Sequence, residues 1–221
     1  MDEEKFLIGI DLANASPLLI ELLIEDSTEP ALFREIAKAN INRPDILVLI
    51  MENPDTPEEV KEEISAMLRV PVKPKKEVVH VQRTPETILQ RIQKLSVSER
   101  ILLALRGGKE VRTILLRDPN KEVALTVMEN PKITETEVEL IARSRSIAEE
   151  ALRKITKKRE WMKNYNVILA LVTNPKTPIP ISISLVGDLK TKDLAVLEKS
   201  RNVAEGVRLT AKKLVRARKG H

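Results

Sequence analysis

One pattern occurs three times in this chain, and it restricts the fold more than any other feature. Ile46-Leu47-Val48-Leu49-Ile50-Met51-Glu52-Asn53-Pro54-Asp55-Thr56-Pro57 returns as Val123-Ala124-Leu125-Thr126-Val127-Met128-Glu129-Asn130-Pro131-Lys132-Ile133-Thr134, and again as Val167-Ile168-Leu169-Ala170-Leu171-Val172-Thr173-Asn174-Pro175-Lys176-Thr177-Pro178. Each time an apolar segment runs into Asn-Pro. Pro cannot continue a helix, and Asn tolerates a left-handed cap, so the pair reads as a stop. A Thr then stands where the next helix can begin. A second echo pairs Ser144-Arg145-Ser146-Ile147-Ala148-Glu149 with Ser200-Arg201-Asn202-Val203-Ala204-Glu205. The predicted unit is helix, tight Asn-Pro turn, helix. Such a unit buries its apolar face only by stacking on a neighbour.

The rest of the chain is punctuated in the same language. Ser16-Pro17, Thr56-Pro57, Thr84-Pro85 and Thr177-Pro178 read as hydroxyl caps followed by Pro at the first helical position. Thr56 to Glu59 and Thr134 to Glu137 have capping-box spacing. Val60, Ile64, Met67 and Leu68, like Ile88, Ile92 and Leu95, recur with the helical period. Aromatic residues make up only 2% of the chain, so the core must come from Leu, Ile, Val and Ala, and 6 glycines are few for a β-rich design. The expected fold is all-α, with roughly a dozen helices of ~8–16 residues and no sheet.

An apolar helix, Asn-Pro-x-Thr-Pro and a second helix together resemble the bacterial leucine-rich-repeat-variant and HEAT-like α-solenoids. The turn Asp118-Pro119-Asn120-Lys121-Glu122-Val123 is similar to HEAT-type turns as well. The resemblance covers most of residues 43–68 and 97–215, with irregular spacing between copies. It implies a right-handed α-solenoid used as a binding scaffold. The variant-repeat family's iron–sulfur site is not carried over, because this chain has no cysteine.

Charge is divided unevenly along the chain. Residues 1–70 carry 16 acidic and 6 basic side chains, a net of −10, whereas residues 71–221 carry 17 and 32, a net of +15. Between them Pro71-Val72-Lys73-Pro74-Lys75-Lys76 disfavours helix and favours an extended connector. This predicts an acidic helical module at 1–70, a linker at 71–84 and a basic helical-repeat domain at 85–221. It also predicts that the acidic module contacts the basic one. Met1-Asp2-Glu3-Glu4 opens with acid where an export leader carries positive charge, and no apolar run approaches the ~20 residues of a membrane span. Together with the lack of cysteine, this predicts a soluble protein of the reducing cytoplasm, without membrane association.

Catalytic chemistry finds few footholds. The two histidines are His80, in the predicted linker, and His221, the last residue, and neither has an evident partner as base or ligand. Asp55 with Glu59-Val60-Lys61 matches a nuclease signature in residue type, but that chemistry needs a strand where this sequence predicts a capped helix. Gly107-Gly108-Lys109 can offer backbone donors and a cation to an anion. It lacks Walker spacing, and the structural reading is a turn with Gly107 as a left-handed cap. No cofactor or metal is expected, nor a catalytic role.

The basic residues point to binding. Arg153, Lys154, Lys157, Lys158, Arg159 and Lys163 crowd one segment, and Lys212, Lys213, Arg216, Arg218 and Lys219 crowd the C-terminus. Trp161 and Tyr165, four apart, suit one helix face. Two readings follow: a scaffold that binds a protein partner through its helical-repeat surface, or a nucleic-acid binder that grips phosphates with these clusters.

Overall fold

The computed structural model describes residues 12–25, 27, 29–68 and 86–219, and all regular structure among them is helical. Eight α-helices come first: α1 (Pro17–Glu25), α2 (Pro30–Ala39), α3 (Pro44–Glu52), α4 (Glu58–Leu68), α5 (Ile88–Gln93), α6 (Val97–Arg106), α7 (Lys109–Leu115) and α8 (Lys121–Thr126). Six follow: α9 (Glu135–Arg143), α10 (Glu149–Lys157), α11 (Tyr165–Thr173), α12 (Ile179–Leu185), α13 (Thr191–Leu197) and α14 (Glu205–Lys219). Single 3-10 turns prolong α8 and α12 and precede α1 and α11.

Packing divides the chain into two compact units, Met1–Lys132 and Ile133–His221. This corrects the boundary that composition predicts. Helices on both sides of 71–84 share one core: Leu19, Phe33, Leu47 and Ile64 belong to the same buried cluster as Leu103, Val111 and Leu115. In this first unit α1 packs against both α3 and α6, so the helices before and after the predicted linker flank α1. The linker itself and the Thr84-Pro85 signal lie outside the described residues. The charge contrast has a structural counterpart here. Arg91 meets Glu25 at 2.6 Å and Glu21 at 3.3 Å, Arg106 meets Glu35 at 2.7 Å, and Lys132 meets Glu29 at 3.0 Å. The acids of the early helices therefore face bases that the sequence places after residue 84. A Pro- and Lys-rich run marks where a helix ends; it carries no information on whether the helices beyond it pack together.

In the second unit α9 packs on α10 and α11, α11 on α12, and both α12 and α13 on α14. Ile168 and Val172 of α11 share a buried cluster with Leu194 and Leu197 of α13 and with Val207, Ala211 and Val215 of α14.

The Asn-Pro turns work differently from the predicted cap. Asn53, Asn130 and Asn174 are all extended (φ/ψ −69/124, −61/124 and −80/120), not left-handed, as steric conflict with the following Pro ring requires. Their side chains do the capping at a distance. Asn53 donates to the Ile24 carbonyl at 3.2 Å. Asn130 donates to Ala104 and Gly107 at 2.9 and 3.1 Å, and Asn174 to Ala142 and Ser144 at 2.7 and 3.0 Å. Each amide thus reaches carbonyls at the C-terminal end of an earlier helix, where orphan acceptors accumulate. Each Oδ1 meanwhile accepts the backbone N–H two residues on, closing the turn. The recurrent motif is a clamp from the end of one helix to the end of the helix two before it.

Helix starts follow the predicted chemistry in part. Ser16 accepts from Leu19 N–H at 3.2 Å, and Thr134 with Glu137 forms a full capping box. Thr56 is buried instead and donates to the Ile50 carbonyl at 2.6 Å, so no capping box forms with Glu59. Thr177 is buried as well, and Pro178, not the Thr, occupies the cap of α12.

Candidate functional site

Recounted by packed unit, residues 1–132 carry 19 basic and 23 acidic side chains and residues 133–221 carry 19 and 10, so the positive charge is concentrated in the second unit. The two basic clusters sit on different parts of it. Arg153, Lys154 and Lys157 lie on α10, with Lys158, Arg159 and Lys163 in the turn that follows. Lys212, Lys213 and Arg216 lie on the solvent side of α14, whose Val207, Ala211 and Val215 face inward. The α10 helix packs on α9 while α14 packs on α12 and α13, so the clusters are not brought together through helix packing.

Part of this charge is occupied. Arg153 pairs with Glu149 one turn back at 2.7 Å, and the Lys158 ammonium stands 4.4 Å from the centroid of the Trp161 ring. Arg218 donates to the carbonyls of Leu189 and Gly187 at 2.6 and 2.7 Å, tying α14 to the turn after α12. Lys157, Arg159, Lys163, Lys212, Lys213 and Arg216 are exposed. Trp161 is only 6% exposed and cannot offer a stacking face. It also does not share a helix with Tyr165, because Asn164 caps α11 between them. The Tyr165 hydroxyl donates to Asp193 and accepts from Lys190 N–H, and Lys190 covers its ring at 4.6 Å. Burial pushes the Tyr165 phenol up, and the hydrogen bond to Asp193 raises it further. Both rings are structural.

Two features of the second unit were not singled out from the sequence. The first is an apolar ridge. Ile179 and Ile183, one turn apart on α12, are 51% and 37% exposed, and Leu209 on α14 is 50% exposed. Gly206 joins them: a Cβ there would stand 3.4 Å from Ile183 Cδ1 and 4.0 Å from Ile179 Cγ2, so α14 presents bare backbone to these two side chains. Leu209 follows Gly206 by one helical turn, and Lys212, Lys213 and Arg216 continue along the exposed side of the same helix. The second feature is a cleft of about 210 Å³ lined by Arg143, Arg145, Ala170, Thr173, Asn174, Pro175, Ser200 and Asn202. The two echoing segments contribute Arg145, Ser200 and Asn202 to its walls, and the end of α11 with Asn174-Pro175 supplies much of the rest. That echo of one turn sequence was the available signal for the site.

Gly107-Gly108-Lys109 is placed between α6 and α7. Gly107 is extended (φ −66°, ψ 158°), which corrects the left-handed cap. Its need for glycine is steric: a Cβ would stand 2.5 Å from the Leu103 carbonyl oxygen and 2.9 Å from Val111 Cγ1. Its own carbonyl accepts from Asn130 and Arg112. Gly108 caps α7, and Lys109 is exposed. Asp55 lies in a turn and Glu59 and Lys61 on α4, where Glu59 pairs with Arg34 and Lys61 with Glu58. His80 and His221 lie outside the described residues. Among the described residues no three His, Asp or Glu side chains cluster as metal ligands, and no helix is long and apolar enough to cross a membrane.

Compared with family models, characterised proteins and solved structures, the chain shows no match.

Proposed function

We propose that this chain is a non-catalytic scaffold that binds a protein partner through its helical surface, with the helices stacked as an irregular, right-handed α-solenoid of the HEAT-like kind. Support for the stacking comes from the Asn clamps, which in three places tie the end of one helix to the end of the helix two before it. The observation that carries the function is the ridge of Ile179, Ile183 and Leu209. Scattered exposed apolar residues need no explanation, but a row across two helices, seated on a glycine and continued by three cations, has the make-up of an interface. Its complement is an acidic amphipathic helix that lays apolar side chains across α12 and α14 and sets carboxylates against Lys212, Lys213 and Arg216.

Phosphate-backbone binding is the second reading, supported by the exposed Lys157, Arg159 and Lys163 and by the α14 cations. A pull-down from native lysate separates the two. The scaffold reading expects defined protein bands that survive nuclease treatment and are lost with Ile183→Ser plus Leu209→Ser. Recovery abolished by nuclease, and weakened by Ala at Lys157, Lys158 and Arg159, belongs to the second reading.

A further inference from the structure

The cleft at 143–145 and 200–202 has the chemistry of an oxyanion receptor. Arg143 and Arg145 line it and no Asp or Glu does; Ser200 and Asn202 add neutral polar side chains. Arg143 pairs with Glu139 at 2.6 Å, which holds its stem against α9 while spending only part of a five-donor fork. Arg145 is exposed, with no hydrogen bond or ion pair among the described residues.

The walls are organised in advance. Asn174 is buried at the base of the cleft and donates to the carbonyls of Ala142 and Ser144, which fixes the strand of chain that carries Arg143 and Arg145. The Ser144 hydroxyl contacts the Ser146 hydroxyl at 2.9 Å, and Ser200 Oγ accepts from Asn202 N–H at 3.4 Å, so both turns are braced by their own serines. Thr173 turns its hydroxyl inward to the Leu169 carbonyl. The donors left for a ligand are the guanidinium groups of Arg143 and Arg145, the Ser200 hydroxyl and the Asn202 amide. At about 210 Å³ the cleft is smaller than the ~300–1,000 Å³ of sites that enclose a whole small molecule, so it suits one charged group of something larger.

We infer that this cleft binds an oxyanion, a carboxylate or phosphate group, presented by a partner polypeptide. The fork geometry of guanidinium matches both groups. Chain positions favour the same partner that covers the ridge: Pro175 precedes Ile179 by four residues and Asn202 precedes Gly206 by four, so the segments lining the cleft lead into the two ridge helices. The source of the anion rests on the scaffold reading; the anion chemistry of the cleft does not.

The test uses the full chain and two probes, inorganic phosphate and acetate, titrated at constant ionic strength against a chloride control while amide resonances are followed. The expected result is saturable shifts centred on residues 143–146 and 200–202, in the millimolar range, for phosphate, acetate or both. Whichever anion binds more tightly identifies whether phosphate or carboxylate is the group received. Arg145→Ala should weaken that binding about five- to tenfold with the thermal midpoint unchanged, while Arg201→Ala, in the echoing turn but outside the lining, should leave it intact. Absence of saturable shifts with either probe overturns the proposal. So do shifts that map to 153–163 or 212–216 instead, or binding indifferent to Arg145→Ala. Loss of anion binding with retained capture of a protein through Ile183 and Leu209 would remove the cleft and leave the scaffold standing.

Discussion

Asn130 and Asn174 show how much a single side chain contributes when it is buried between helix ends. Each satisfies two carbonyls and closes its own turn, whereas Asn53 reaches one carbonyl and is half-exposed. Replacing a buried donor strands its acceptors, at a cost of about 1–3 kcal/mol. Asn130→Ala and Asn174→Ala should therefore each lower unfolding free energy in urea by about that amount, and Asn53→Ala by clearly less. Equal losses at all three would show that the clamps do not act through these carbonyls. Gly107 gives a second contrast. Gly107→Ala drives a methyl into the Leu103 carbonyl and should cost about 1–3 kcal/mol, while Gly187→Ala, with nothing within 4 Å, should be neutral or slightly stabilising by the same urea measurement. The importance of Asn-Pro was legible from its three copies. Its geometry was not, because the carbonyls that it serves lie 23 to 32 residues earlier in the chain.

Among the helices, the starts were more legible than the neighbours. Ser and Thr caps act within one turn, so sequence spacing reports those at Ser16 and Thr134, though not the buried Thr56 and Thr177; the position of α1 between α3 and α6 depends on side chains that meet only in space. Glu99 shows both kinds of interaction in one residue. It completes the capping box of α6 with Ser96 and also accepts from the Ser16 N–H at 3.3 Å, at the cap of α1. Burial acts to raise the Glu99 carboxyl, but the hydrogen bonds from Ser16 and Ser96 outweigh it and hold the group below its ordinary value. A depressed carboxylate contributes stability that is fully present above the ordinary carboxylate range and is lost as pH falls through the lowered value. The prediction is that Glu99→Gln flattens the acid limb of the stability profile, measured by urea midpoints from neutral pH downward. A mutant profile that parallels the wild type would contradict it.

At the scale of the whole molecule, the basic character of residues 133–221 was visible in composition, but the unit boundary was not. The core of the first unit joins helices on both sides of the predicted linker. A fragment ending at Leu68 lacks α6 and with it one packed face of α1, so it should melt without cooperativity, whereas residues 1–132 should unfold as one cooperative unit by circular dichroism. Cooperative melting of the shorter fragment would restore the boundary at 71–84. The ridge escaped sequence reading because Ile179, Ile183 and Leu209 look like core residues by period. Only the packed helices, with Gly206 exposing its backbone beside them, show that these faces have no cover among the described residues. That the ridge receives a protein is tested most directly by placing a photo-crosslinking amino acid at Leu209 or Ile183, with exposed Asn166 on α11 as the control position, and irradiating the chain in native lysate after nuclease treatment. Discrete polypeptide adducts are expected from 209 and 183 and none from 166; adducts only to nucleic acid, or equal labelling at all three positions, would show that the ridge does not receive a protein.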